Sequence, residues 1–308
     1  MGFRMAIPWR LKMAVKLGLS VLPVPYAAWR RLALFRHGEM DDPSYAWGEL
    51  LTHLTLSAMG AETAPGAMLE LGPGDALTTA VAGAALGFSP IHLVDVGAFA
   101  RRDLRPYRAA EAFLRARGYS PPDLREAKTL ESILQACGAF YATNGLESLR
   151  SLPDGSIRFA WSSAVLEHVP RAGFRPLLRE LRRVLQPGGV SSHSVDFRDH
   201  LGEGLNHLRF SARTWESPRV ARSGFYTNRI GFAAMQTLFQ EAGFLVEARE
   251  VHRWPTLPTP RRSLDPEFRD RSDEDLCVSA ALFVLRPAIL PVAAGRPPGS
   301  HRAGANER

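Results

Sequence analysis

Leu69-Glu70-Leu71-Gly72-Pro73-Gly74-Asp75 closes a short apolar strand, Ala67 to Leu71, and leads into a run of small residues that reads as a helix through Leu86. The glycines let backbone approach a ligand closely, and the start of the helix offers unpaired amides. Such a turn says little alone. About twenty residues later, at the spacing of a nucleoside-binding βαβ unit, a second strand, Ile91-His92-Leu93-Val94, ends in Asp95. From that place a carboxylate accepts hydrogen bonds from both hydroxyls of an adenosine ribose. Glu70 separates the ligands that use this pair. A carboxylate at the tip of the first strand repels a pyrophosphate but suits a cationic ammonium, and Ala76 stands where a dinucleotide fingerprint carries its third glycine. A nicotinamide cofactor, and with it NAD(P)-dependent oxidoreductase chemistry, is therefore the disfavoured alternative.

Outward from this unit the strand and helix patterns alternate. A helix containing Ala109 to Arg117 is followed by Ala136 to Tyr141, which reads equally as helix or strand. Ile157 to Ser162 is a strand, Phe174 to Leu185 an amphipathic helix stopped by Gly188-Gly189, and Val190 to Val195 the next strand. Phe232 to Ala242 is a helix, and Phe244 to Val251 and Leu276 to Leu285 are the last strands. The pattern predicts an α/β, Rossmann-like, doubly wound and mostly parallel seven-stranded sheet, with ligands at the carboxyl ends of its strands. Residues 1–63 read as an N-terminal helical extension packing on a core domain of residues 64–287, and residues 288–308 as a disordered tail. In the extension, helices break around Pro23 to Pro25, and Asp41-Asp42-Pro43-Ser44 starts a new one carrying Tyr45 and Trp47.

A second cluster is more specific than the first. Ser151-Leu152-Pro153-Asp154-Gly155-Ser156 leads into Ile157, then Trp161-Ser162-Ser163-Ala164-Val165-Leu166-Glu167-His168-Val169, then Arg183-Val184-Leu185-Gln186-Pro187-Gly188-Gly189. With the first motif this order resembles the class I S-adenosylmethionine-dependent methyltransferases, in particular the type 11 group, over residues 66 to 196. The resemblance implies S-adenosyl-L-methionine as cofactor and a methyltransferase activity. It places Glu70, Gly72 and Gly74 at the amino-acid end of the cofactor and Asp95 at its ribose. Ser162, Ser163 and His168 would line the methyl-transfer side. The acidic residue that such enzymes carry near the adenine has no clear counterpart; Asn144 and Leu146 stand where it would be. Arg158 replaces the usual Asp at the start of the fourth strand and reads as structural.

Methyl transfer needs an aligned acceptor and, for a hydroxyl, a place for its proton. His168 is the first candidate base, with capping or packing of the following helix as its other reading. His193 and Asp196, in Ser192-His193-Ser194-Val195-Asp196-Phe197-Arg198-Asp199-His200, are further candidates. The histidines and aspartates of that run match no strong metal signature and read as a hydrogen-bond network or an acceptor-binding loop, so no metal is expected. Gly224 to Arg229 mixes aromatics with hydrogen-bonding groups and reads either as a surface for a polar acceptor or as a capped helix start. The insert 196–229 is expected to set acceptor specificity, the acceptor being a small molecule or a glycan.

At 45% hydrophobic and 22% charged, the 308-residue chain has the composition of a globular protein, which excludes disorder as its main state. Two cysteines, Cys137 and Cys277, without paired spacing exclude a disulfide framework or a cysteine zinc site and fit a reducing cytoplasm. The net charge of +7 comes from scattered arginines rather than a basic run with interleaved aromatics, so no nucleic-acid partner is expected. The basic, apolar N-terminus is interrupted by Lys12, Lys16, Pro23, Pro25 and Arg30 before it reaches spanning length, and no signal peptide is expected. It is read either as packed on the domain or as a peripheral membrane contact. The latter would suit a non-catalytic, membrane-associated cofactor-binding protein of the same fold.

Overall fold

A computed structural model of the chain describes residues 8–20, 39–59, 66–221 and 223–288. Seven strands form one sheet in the order β3-β2-β1-β4-β5-β7-β6. They are β1 (Ala67–Leu71), β2 (Ile91–Val94), β3 (Ala139–Ala142), β4 (Ile157–Ser163), β5 (Leu185–Asp196), β6 (Phe244–Arg253) and β7 (Val278–Pro287). The first five run parallel, and β7 is antiparallel to both β5 and β6. β1 is central and buried along its whole length, which is why Ala67-Met68-Leu69 shows no polar alternation. The chain reverses its winding between β1 and β4, and the crevice outside their carboxyl ends is where such sheets bind ligands.

Each face of the sheet has its own core. On one, Met68, Phe159 and Trp161 pack with Trp47, Leu50, Val81, Tyr107 and Ile133 from the covering helices. On the other, Leu69, Ala160 and Phe283 pack with Phe174, Leu178, Leu181, Met235 and Phe239. The amphipathic helix Arg171–Val184 buries the 3.6-spaced set Phe174, Leu178 and Leu181, as its sequence requires. Helix Pro43–Leu56 begins where Asp42 accepts from the amide of Ser44 with Pro43 in the first turn, the start its sequence announces.

Several boundaries differ from the sequence reading. Ala136 to Tyr141 divides: helix Leu130–Ala136, opened by a reciprocal Thr129/Ser132 cap, ends before Gly138 takes a φ of 60°, and β3 follows. Gly188-Gly189 does not stop the preceding helix. That helix already ends at Val184, and residues 186–189 form an irregularity in β5, whose pairing with β4 jumps from Ile157↔Leu185 to Phe159↔Val190. Arg158 lies at the irregularity and donates from Nη1 to the Gly188 carbonyl at 2.9 Å. Residues 254–277, of which the sequence reading assigned only Leu276 and Cys277, to the last strand, form a second insert between β6 and β7. It is stitched to the first by the amide of Asp265 donating to the carbonyl of Leu208 and by a joint core of Leu205, Leu208, Leu264, Phe268 and Leu276.

Helix Trp9–Ser20 lays Trp9, Met13 and Leu17 against Leu201, Trp215 and Phe225 of the first insert. The expected breaks at Pro23 to Pro25, most of the segment read as a membrane contact, and the tail beyond Ala288 lie outside the described residues. Among the described residues no helix is long and apolar enough to cross a membrane.

Candidate cofactor and acceptor site

Glu70 and Asp95 meet at the tips of β1 and β2. The amide of Gly72 donates to the carbonyl of Val94 at 2.8 Å, tying the two tips together. Gly72 has a φ of 67°, and a Cβ there would lie 2.6 Å from Cγ2 of Val165 on the loop after β4, so no larger residue fits without displacing that loop. Gly74 donates its amide to Oδ2 of Asp95 at 3.3 Å, and Val96 donates to Oδ1 at 2.7 Å. The carboxylate is thereby aimed by two backbone amides. Glu70 is buried and accepts the hydroxyl of Thr79, a contact the sequence reading did not anticipate. Burial pushes the Glu70 carboxyl up to about 8; Thr79 pulls against this and the charge of Asp95 adds to it. A buried acid in that state gains from a cationic ligand. An ammonium at Glu70 and a ribose at Asp95 are what this pair is chemically equipped to hold, so the residues present fit S-adenosylmethionine.

The turn carrying Asn144 and Leu146 comes to the same edge. Gly145 donates its amide to the carbonyl of Asp95 at 2.8 Å, and Asn144 is anchored through its amide to Ser148 Oγ at 3.0 Å. Leu146 opens the short helix Leu146–Arg150. Val96, 80% exposed beside this turn, is an apolar surface the sequence reading did not single out.

Strands β4 and β5 separate their polar residues. Ser162 and His193 are both fully buried: Nδ1 of His193 bonds Ser162 Oγ at 2.7 Å and Nε2 bonds Ser191 Oγ at 2.6 Å. Burial, with a smaller push from His53, drives the His193 ring down to about 3. Both nitrogens of His193 are thus committed to serine hydroxyls inside the sheet, and Ser162 is turned to the same buried network. Ser163, half-buried at the strand end, donates to Oε2 of Glu49 at 2.6 Å.

Beyond β4 the backbone passes through Ala164, whose φ of 52° is rare for alanine, into the turn Leu166–His168. His168 is exposed there, its Nδ1 2.8 Å from the carbonyl of Tyr226. The stretch Phe225 to Arg229 is not a surface: all five residues are buried. Asn228 donates from Nδ2 to the carbonyls of Leu166 and Val169 at 2.8 and 3.0 Å and straps the turn down. The aromatics that suggested an acceptor surface instead pack around Trp215 inside the insert.

Asp196 ends β5 with its carboxylate held by the amide, Nε and Nη2 of Arg198 at 2.8 to 3.0 Å. Asp199 organises the next loop, accepting from the amides of Leu201, Gly202, Gly204 and Asn206. Above these residues lies a cavity of about 600 Å³, bounded by Lys12 and Lys16 of the helix Trp9–Ser20 and by Asp196, Arg198 and His200. Glu70 is level with Trp161 of β4 and Ser192 of β5, and Asp196 lies four residues further along β5; at about 4.8 Å between strands and about 3.3 Å per residue, the cavity lies roughly 16 Å from Glu70 at the same edge of the sheet.

The methyltransferase-domain family model matches residues 69–192, the segment that carries Glu70, Gly72, Gly74, Asp95 and the turn at His168. No curated protein matches the sequence. Among solved structures, phosphoethanolamine N-methyltransferase 2 of Haemonchus contortus is 14% identical, with 79% of this chain and 53% of that one covered and a TM-score of 0.41. The chain thus spans about half the length of that protein. An S-adenosylmethionine-dependent methyltransferase from Methanosarcina mazei is 18% identical over 73% of this chain and 94% of its own, with a TM-score of 0.42. Another from Mesorhizobium loti is 17% identical over 75% and 95%, with a TM-score of 0.40. Residues 69–192 are thus similar to the methyltransferase-domain family. S-adenosylmethionine is the class of methyl donor to which the paired carboxylates are suited.

Proposed function

We propose that the protein transfers the methyl group of S-adenosylmethionine to a hydroxyl of a small polar acceptor, of the kind a sugar presents, held in the cavity beneath helix Trp9–Ser20. The observation that carries this reading is the lining of that cavity, where cationic Lys12 and Lys16 and the Arg198–Asp196 pair offer donors and acceptors together. Such a surface suits a ligand with many hydroxyls better than an apolar or strongly charged one. The acceptor oxygen would attack the methyl carbon in line with the breaking bond to sulfur, leaving S-adenosylhomocysteine. The proton lost from the hydroxyl would pass to a rim group, for which His168 and Asp196 are the candidates. In this reading Asn144, Leu146 and the exposed Val96 flank the adenine, and the insert 196–229 selects the acceptor.

The reading is tested by following S-adenosylhomocysteine release over a panel of free sugars, nucleotide sugars and small amines. Turnover with a hydroxyl compound, reduced at least about tenfold by Asp196→Asn, is expected. Turnover confined to amines would overturn the hydroxyl assignment.

A further inference from the structure

Glu167, His168 and His200 each bring one ligand atom, a carboxylate oxygen and two imidazole nitrogens, to within 4.8 Å of one another. The first two sit in the turn after β4 and the third in the loop after β5, so only the fold assembles them. The His168 and His200 rings lie 4.9 Å apart, inclined at 55°. Glu167 is 3% exposed; its Oε1 accepts the amide of Asp196 at 3.1 Å, but its Oε2 is buried with no hydrogen-bond partner. Nε2 of His200 is buried and unpartnered in the same way. Two buried polar atoms without partners, beside a third group able to ligate, are costly unless something joins them.

We propose that Glu167, His168 and His200 bind a divalent cation of the borderline class, such as Zn²⁺, next to the cavity that His200 lines. Two imidazoles and one carboxylate select such an ion over Mg²⁺ or Ca²⁺, which take oxygen ligands. The carbonyl of Tyr226 fixes the His168 ring through Nδ1, as outer partners of metal-bound histidines do. A tetrahedral ion with bonds of about 2.1 Å holds its ligand atoms about 3.4 Å apart, so the side chains close in by roughly an ångström on binding. His200 and Asp196 border the cavity, so a cation held by His200 would stand beside an acceptor bound there. That last role rests on the proposed acceptor reading, in which a metal-bound His168 leaves Asp196 as the base; the binding of the cation does not. The Glu167 carboxyl also borders a separate cavity of about 30 Å³ with His207, Thr227 and Arg229, room for a water molecule that is the competing partner for Oε2.

The test uses the full chain without a histidine tag, stripped with a chelator and titrated with Zn²⁺ against a chromophoric competitor, then with Co²⁺ followed by its visible spectrum. One saturable equivalent and the intense bands of four-coordinate cobalt are expected. His200→Ala and Glu167→Gln should each weaken binding at least about tenfold, while S-adenosylhomocysteine affinity, reporting an intact fold, stays within about twofold. Should His200→Ala disturb the fold, Glu167→Gln, nearly isosteric, carries the test alone. Absence of saturable binding in the wild type, or unchanged affinity in Glu167→Gln, overturns the proposal.

Discussion

The amide of Gly74 donates to Oδ2 of Asp95 at 3.3 Å, so the turn after the first strand orients the carboxylate at the end of the second. This contact makes one site of two sequence motifs. Asp95→Ala should weaken S-adenosylhomocysteine binding about 10- to 100-fold, the cost of losing charged hydrogen bonds to a ribose diol. Titration calorimetry checks this, and unchanged affinity would remove Asp95 from the site.

Glu70 predicts a pH dependence of fixed sign. Its carboxyl sits at about 8 in the free protein because it is buried. The ammonium of the cofactor favours the ionised form, so binding releases a proton below that pH. Affinity should rise from pH 6 to pH 8, by at most about tenfold per unit, and level off above. The same raised value means that this group's contribution to folding stability falls as pH rises from about 4.5 to about 8. Calorimetry in buffers of different ionisation enthalpy measures the proton, and Glu70→Gln should abolish its release.

Gly72→Ala should impair both stability and cofactor binding. A left-handed φ costs a non-glycine residue about 1 to 2 kcal/mol, and the overlap with Val165 adds to it. Val165→Ala in that background should recover part of the loss in thermal unfolding. If the two substitutions are simply additive, the close approach is not what forbids a side chain.

His193 distinguishes a structural histidine from a catalytic one. Its replacement by Ala leaves the buried hydroxyls of Ser162 and Ser191 without their partner, which should lower unfolding free energy by about 2 kcal/mol or more. Turnover per folded molecule should change by less than about threefold, whereas loss of a general base costs about 10²- to 10⁴-fold. Denaturant unfolding and initial rates on the same preparation separate the two.

The sheet and the cofactor edge were legible because each depends on local pattern. Glu70 and Asp95 follow apolar strands that can only be interior, so their places at the strand tips could be counted off. The β5 run Ser191-Ser192-His193-Ser194 is polar on both faces, so no alternation reveals which side chains are buried; only contact with Ser162 and His53 settles it. Phe225 to Arg229 misled for a related reason, since aromatics beside hydrogen-bonding groups describe a ligand surface and a buried strap equally well. Residues 254–277 carry only short, capped turns whose apolar side chains find partners in the other insert. The meeting of His168 with His200 likewise exists only in the folded chain.

Two acidic strand tips gripping one cationic nucleoside are the centre of the account, and titration calorimetry of the wild-type protein with S-adenosylhomocysteine and with NADH tests them directly. Saturable binding of S-adenosylhomocysteine in the micromolar range, lost with Asp95→Ala, and no heat with NADH are predicted. Tighter binding of NADH, or no binding of either S-adenosylhomocysteine or S-adenosylmethionine, would contradict it.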